Sequence, residues 1–257
     1  MTNVAQVIWV EMLKARRSKM SLLTALGFSL LPLAMGFFMI VLKDPELARR
    51  MGLISTKAHL IAGAADWPTY IGLLGQAVAG GGMVLFGFIG IWVFGREYSD
   101  HTVKDLLALP TARSAIVFGK FVVLAAWSAA LVALIGVAGL GIGAAIGLAQ
   151  ASPQILLQGG VTIALAAGLT IALATPIVFF ASAGHGYLPP IGFVFLVALL
   201  TQVISAAGWG EYFPWSVPVL YSQGTELGTV SYVIVILTSL AGLAGTFLWW
   251  EWADQSN

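Results

Sequence analysis

Residues 121–154 read FVVLAAWSAALVALIGVAGLGIGAAIGLAQASPQ, and the charge-free run they open continues to Gly210, 90 positions without Asp, Glu, Lys or Arg. A helix crosses the hydrocarbon of a bilayer in about 20 apolar residues, so this run is too long for one crossing. Turn chemistry divides it. Residues 150–154, QASPQ, break it once and residues 182–190, SAGHGYLPP, break it again, because Pro and Gly interrupt helices. The pieces predict spans at about 116–149, 154–182 and 189–208.

Outward from this block the pattern repeats. Residues 20–42 are uncharged, as are 68–95, the latter closed by Trp67 or Tyr70 at one end and Trp92 at the other, where aromatic rings suit the membrane interface. Residues 229–250 supply a last span, making six in one transmembrane domain, 1–257. The bulk composition agrees: 59% hydrophobic, 9% charged and mean hydropathy +0.94 over 257 residues, against about 25% charged in soluble domains. The fold class is therefore an all-α integral membrane protein embedded in the lipid bilayer. A net charge of +1 argues against a nucleic-acid surface, which needs a clustered basic face. With no cysteine there is no disulfide or thiolate chemistry. The first apolar run is about 23 residues long with no small-residue cleavage pattern, so it reads as a span rather than a leader.

Orientation follows from Lys and Arg. Segments 1–19 and 95–120 hold four each, the loop 43–66 holds four, and the second half none. Eight against four place both termini on the cytoplasmic side of the cell membrane. The loop 43–66 is polar and has room for a short helix. The first 19 residues read as a helix ending in Lys14, Arg16, Arg17 and Lys19, with Val4, Ile8, Met12 and Ala15 on one face and Glu11 close to it. Two readings stand: an interfacial helix that brings its basic end to anionic headgroups, or a positive flank that only fixes topology.

Once Arg113 and Lys120 are placed at the mouth of the third span, the span interiors carry no Asp, Glu, Lys, Arg or His. Ion-coupled carriers keep such groups inside for work, so a secondary carrier is disfavoured, and an intramembrane hydrolase lacks its catalytic set. His59, His101 and His185 fall in three different loops, which argues against a metal site. Residues 114–120, SAIVFGK, lack both the first Gly and the final Ser or Thr of a phosphate-binding loop. No cofactor is expected in this chain. Gly139, Gly143 and Gly147 recur every four residues, a smooth ridge suited to close helix approach. Pro176 should kink the fourth span, shaping a cavity or merely curving a helix.

Charge concentrates instead in REYSDHTVKDLLALPTAR, residues 96–113. Ser99 or Asp100 can cap a short helix, and Thr102 with Asp105 repeats the capping-box spacing. Val103, Leu106 and Leu107 make one apolar stripe, and Pro110 stops the helix. Either this is a solvated connector or its apolar knob and charged rim form a plug for a cytoplasmic protein.

Residues 97–120, EYSDHTVKDLLALPTARSAIVFGK, resemble the signature loop of permease subunits of type 2 ABC transporters, matching at Glu97, Thr102, Leu106, Leu107, Pro110, Arg113 and Lys120. His101 stands where that family commonly has Gly. Residues 212–220, YFPWSVPVL, are similar to the family's outer segment. The resemblance implies an interfacial N-terminal helix and a coupling helix formed by Glu97, Asp100, His101, Thr102, Val103, Lys104, Asp105, Leu106 and Leu107. It also implies short re-entrant helices near Tyr212, Phe213, Pro214, Trp215 and Pro218. The implied partners are two copies of an ATP-binding subunit, which hold ATP and magnesium, and a second permease, either identical or related. An exporter of an apolar or amphipathic drug, peptide or lipid is the expected function. A non-transporting scaffold or immunity protein that uses the same loop is the alternative. The aromatic crowd at Trp209, Tyr212, Phe213, Trp215 and Tyr221 fits an interfacial belt or a substrate gate.

Overall fold

The structure, a computed structural model, describes residues 4–44, 64–108 and 110–252. The short helix expected in the loop 43–66, and His59 with it, lie outside the described residues. Among those described, six helices are long and apolar enough to cross a membrane.

Helix α1, Val4–Arg17, ends in Lys14, Arg16 and Arg17, cations that complement the negative end of a helix dipole. Ser18, in extended backbone, separates it from the first span, α2, Lys19–Lys43. The second span, α3, Trp67–Ser99, is started by Asp66, whose Oδ1 accepts from the Thr69 amide at 3.0 Å, and by Pro68 just inside the helix. It runs past the expected membrane boundary into the charged loop. A short helix, α4, Val103–Leu107, follows, and then the third span, α5, Arg113–Ile146.

Helix α5 ends earlier than expected. Gly147 takes a left-handed φ of 67°, its amide donates to the Ala144 carbonyl, and the Leu148 amide donates to the Gly143 carbonyl. This is the reversal that glycine permits without steric penalty. Gly147 is thus a helix cap and not the third step of a packing ridge, a correction to the periodic reading. Lys43 Nζ, 2.9 Å from the Ile146 carbonyl, completes the cap from the end of α2.

The fourth crossing is broken into α6, Pro153–Ala172, and α7, Ala174–Ala183. Pro176 causes the break: its ring excludes the carbonyl four residues earlier, at Ala172. Thr175 Oγ1 lies 2.9 Å from that freed carbonyl and 2.7 Å from the Ser239 carbonyl of the facing helix. The fifth span is α8, Leu188–Ala206. Two 3-10 turns, Gly210–Tyr212 and Pro214–Ser216, lead into α9, Val217–Ser222, and the chain closes with α10, Thr229–Trp252.

Helix α3 is the hub, packing against α2, α5, α6, α7, α8 and α9. Small residues let neighbours approach it. A Cβ on Gly143 would stand 2.5 Å from the Trp67 ring, one on Gly139 2.8 Å from Leu74, and one on Gly159 2.3 Å from Ile71. The glycine ridge therefore seats the large side chains at the start of α3. Helices α8 and α10 leave broad apolar faces outward, including Phe195, Leu199, Ile236 and Leu240, as lipid-facing surfaces do. The described ends of the chain, α1 and the end of α10, both lie at the end of the bundle that carries α4.

Candidate functional site

The charged loop is shaped by how α3 stops. The His101 amide donates to the Tyr98 carbonyl at 3.2 Å and the Thr102 amide to the Glu97 carbonyl at 2.9 Å, with His101 at φ 56°. This places His101 in the left-handed cap position that usually belongs to Gly. Thr102 makes no side-chain cap bond, and Asp100 pairs with Arg96 at 3.2 Å, so the capping box expected from spacing does not form. The Thr102 amide is already committed to the end of α3.

The apolar stripe faces the opposite way from the plug reading. Val103 is buried, and Leu106 and Leu107 are half-buried against the main core. What α4 offers outward is polar: Asp100, His101, Thr102, Lys104 and Asp105 are exposed. The spacing identified the stripe correctly, but an amphipathic pattern alone does not say which face meets the rest of its own chain. Here the helix spends its apolar side on the bundle.

Beneath the loop lies a feature that residue spacing did not reveal. Glu97 is buried at the end of α3, with its carboxylate 2.8 Å from Lys120 Nζ of α5 and 3.1 Å from Lys14 Nζ of α1. Glu11 of α1 closes the figure, 2.6 Å from Lys14 and 3.2 Å from Lys120. Two carboxylates and two ammonium groups alternate around a closed, neutral ring. Lys120 is fully buried and also donates to the Val93 carbonyl at 2.8 Å.

Such a group survives burial because each charge has two opposite partners, whereas a lone buried charge is costly. Burial works against the Lys14 ammonium, yet the carboxylates of Glu11 and Glu97 outweigh it and hold its pKa above the ordinary lysine value. Sequence placed Glu11 near the apolar face of α1 and Lys120 at a span mouth, but the pairing needed three elements in space. The one available signal was Glu11 itself, an acid close to the apolar face of α1. A Cβ on Gly119 would stand 2.9 Å from Val7, so α5 also supplies the flat surface on which α1 lies.

At the far end, the segment holding Tyr212, Phe213, Pro214, Trp215 and Pro218 folds back through α9, which packs on α3 and α6. Val217 and Ser222 are buried, Ser205 and Ser216 hydroxyls meet at 3.0 Å, and Trp209 and Tyr212 remain exposed. Beside α9 opens a cavity of about 730 Å³, lined by Ile71, Gln158, Thr162, Tyr221, Glu226 and Tyr232 among others. Among the described residues no cluster of His, Asp and Glu could hold a metal ion.

The model of the ABC-2 family of transporter proteins matches residues 7–201. The chain belongs to that family. The matched residues contain all four members of the ion-pair ring and the α4 loop, while the outer segment and α10 lie beyond them. The Bacitracin transport permease protein BCRB of Bacillus licheniformis is 27% identical over 177 residues, covering 67% of this chain and 85% of the relative. Membership makes this chain a multi-pass membrane subunit of an ABC transporter. ABC-2 permeases are transport subunits rather than catalytic ones, and generally work with an ATP-binding subunit. Within that family frame, two residues of the recognised loop signature, Glu97 and Lys120, are partners of each other.

Proposed function

We infer that this chain is the membrane-spanning half of an ATP-driven exporter in the cell membrane, with the α4 end and both termini cytoplasmic. Two ATP-binding subunits, holding ATP and magnesium, dock on the α4 loop, and two permease chains, identical or related, enclose the cargo path. The cargo is an apolar or amphipathic compound, such as a drug, peptide or lipid. The relative named for bacitracin transport supports that class. Spans without ionisable groups deep in their interiors support a mechanism in which work arrives mechanically through the loop, by switching between states that differ by a few kcal/mol.

The observation that carries the reading is the polar outward face of α4, seated on a buried ion-pair ring that joins α1, α3 and α5. A partner pressing on Asp100, Lys104 and Asp105 presses on a unit tied directly to the second and third spans. Charge reversal at Lys104 and Asp105 together tests this without touching the core. Co-expression with the ATP-binding subunit should yield a complex whose ATPase is stimulated by the native permease and not by the reversed variant. Undiminished assembly and stimulation would remove the loop from the coupling role.

A further inference from the structure

Two cavities at the α4 end meet, and their chemistries are opposite. One, about 530 Å³, lies at the elbow between α1 and α2 and is lined by Lys14, Arg17, Ser18, Lys19 and Arg96, with Asp100 as its one carboxylate. The other, about 410 Å³, runs between α2, α3 and the start of α8, lined by Leu23, Thr24, Leu85, Phe88, Ile91 and Ile191. Met20, Trp92 and Tyr187 line both, so the basic mouth opens onto an apolar slot.

The charges in the mouth are unequally engaged. Lys14 is held by Glu11 and Glu97, and Arg96 by Asp100 and by the Trp92 ring at 5.2 Å. Arg17 and Lys19 are exposed and have no ion-pair partner among the described residues. Ser18, between them, caps α2 without a side-chain bond, and its hydroxyl is buried, with no hydrogen-bond partner among the described residues. Two unengaged cations and the positive end of a 25-residue helix meet at this mouth.

A soluble anion would satisfy the mouth and ignore the slot. A zwitterionic lipid would fill the slot and bring no net charge to the mouth. The ligand that uses both has an anionic phosphate head and a hydrocarbon chain. We propose that one anionic phospholipid, drawn from the leaflet at the α4 end, occupies this joined cavity, with its phosphate between Arg17 and Lys19 at the start of α2 and one chain between α2, α3 and α8. The lipid joins the α1–α2 elbow to α8, elements that otherwise share little contact. The site is independent of cargo and of the ATP-binding partner, so failure of either leaves it standing.

The test uses the purified chain in a neutral detergent, read by thermal unfolding and by native mass spectrometry. Phosphatidylglycerol should raise the unfolding midpoint and remain bound as one copy, at least tenfold more tightly than phosphatidylcholine, while glycerol phosphate alone should do neither. Arg17→Gln with Lys19→Gln should weaken phosphatidylglycerol at least tenfold, since the pair removes both cations that the phosphate meets. Leu23→Trp, at an exposed position on the slot wall, should weaken it with every charge intact, and it decides the matter if the double variant does not fold. Equal binding of the two lipids, full competition by glycerol phosphate, or retention of tight phosphatidylglycerol binding by either variant would each overturn the proposal.

Discussion

Lys120 Nζ of the third span lies 2.8 Å from the carboxylate of Glu97 at the end of the second, although the entire α4 loop separates them in sequence. The loop is therefore stapled at its base by the two charges that flank it, and α1 is stapled to the same point through Glu11 and Lys14.

Removing one member leaves an unbalanced charge in a buried site, so Lys120→Met or Glu97→Gln should each cost about 3–5 kcal/mol. The two together restore neutrality, because Glu11 and Lys14 remain as a pair at 2.6 Å. The double variant should then be more stable than the sum of the singles, by about 1–3 kcal/mol of coupling. Exchanging the two charges should not rescue, since Lys at 97 would face Lys14 and Glu at 120 would face Glu11. Thermal unfolding of the four variants in detergent reads all of these outcomes.

The same ring sets a pH dependence. The Lys14 pKa lies above the ordinary value of 10.5 in the folded chain, so the native state binds that proton more tightly than the unfolded state does. Its contribution is fully present below 10.5 and is lost as pH rises through the folded value. The stability gap between the native protein and Lys14→Met should stay constant from neutrality to the ordinary lysine value and narrow above it.

His101 pays a backbone cost that Gly would not. At φ 56° a side chain crowds the following carbonyl, by about 1 kcal/mol. His101→Gly should raise stability by about that amount, and His101→Val should lower it. His185 has a similar φ of 51°, but its ring meets Tyr98 at 5.2 Å and Trp249 at 6.0 Å. His185→Gly should therefore gain less, because those contacts are lost with the ring.

Much of the fold was legible because its main signal is one-dimensional. Charge-free length identifies crossings, and QASPQ and SAGHGYLPP hold the turns that separate them. The break at Pro176 was legible for the same reason, since proline acts on its own helix. What stayed hidden depends on partners distant in sequence. The ring needs α1, α3 and α5 assembled, and the inward turn of Val103, Leu106 and Leu107 needs a core to turn toward. Gly139 and Gly143 read as a packing ridge and are one, but periodicity extended the ridge to Gly147, where the chain reverses.

Gly242 marks a close approach of helix to backbone in the second half. A Cβ there would stand 2.3 Å from the backbone nitrogen of Pro176, and backbone cannot rotate aside. Gly242→Ala should push α10 off the α6–α7 break, stretch the bond from Thr175 to the Ser239 carbonyl, and cost about 1–3 kcal/mol. Gly136→Ala in α5 has nothing within 4 Å of the added carbon and should be neutral or slightly stabilising, because Ala is the better helix former.

The orientation of α4 separates folding from docking in any study of this loop. Leu106 and Leu107 lean on the core while Lys104 and Asp105 face out. Leu106→Asp would bring a carboxylate against that apolar core, so it should lower the unfolding midpoint of the isolated chain. Asp105→Lys, fully outside, should leave that midpoint within about 0.5 kcal/mol of native. Loss of ATPase stimulation by Leu106→Asp alone would therefore report a collapsed loop. The same loss by Asp105→Lys, at native stability, would report a broken contact with the partner. If instead Leu106→Asp unfolds at the native temperature, the stripe is not seated on the bundle, and the outward apolar plug becomes the correct description of α4.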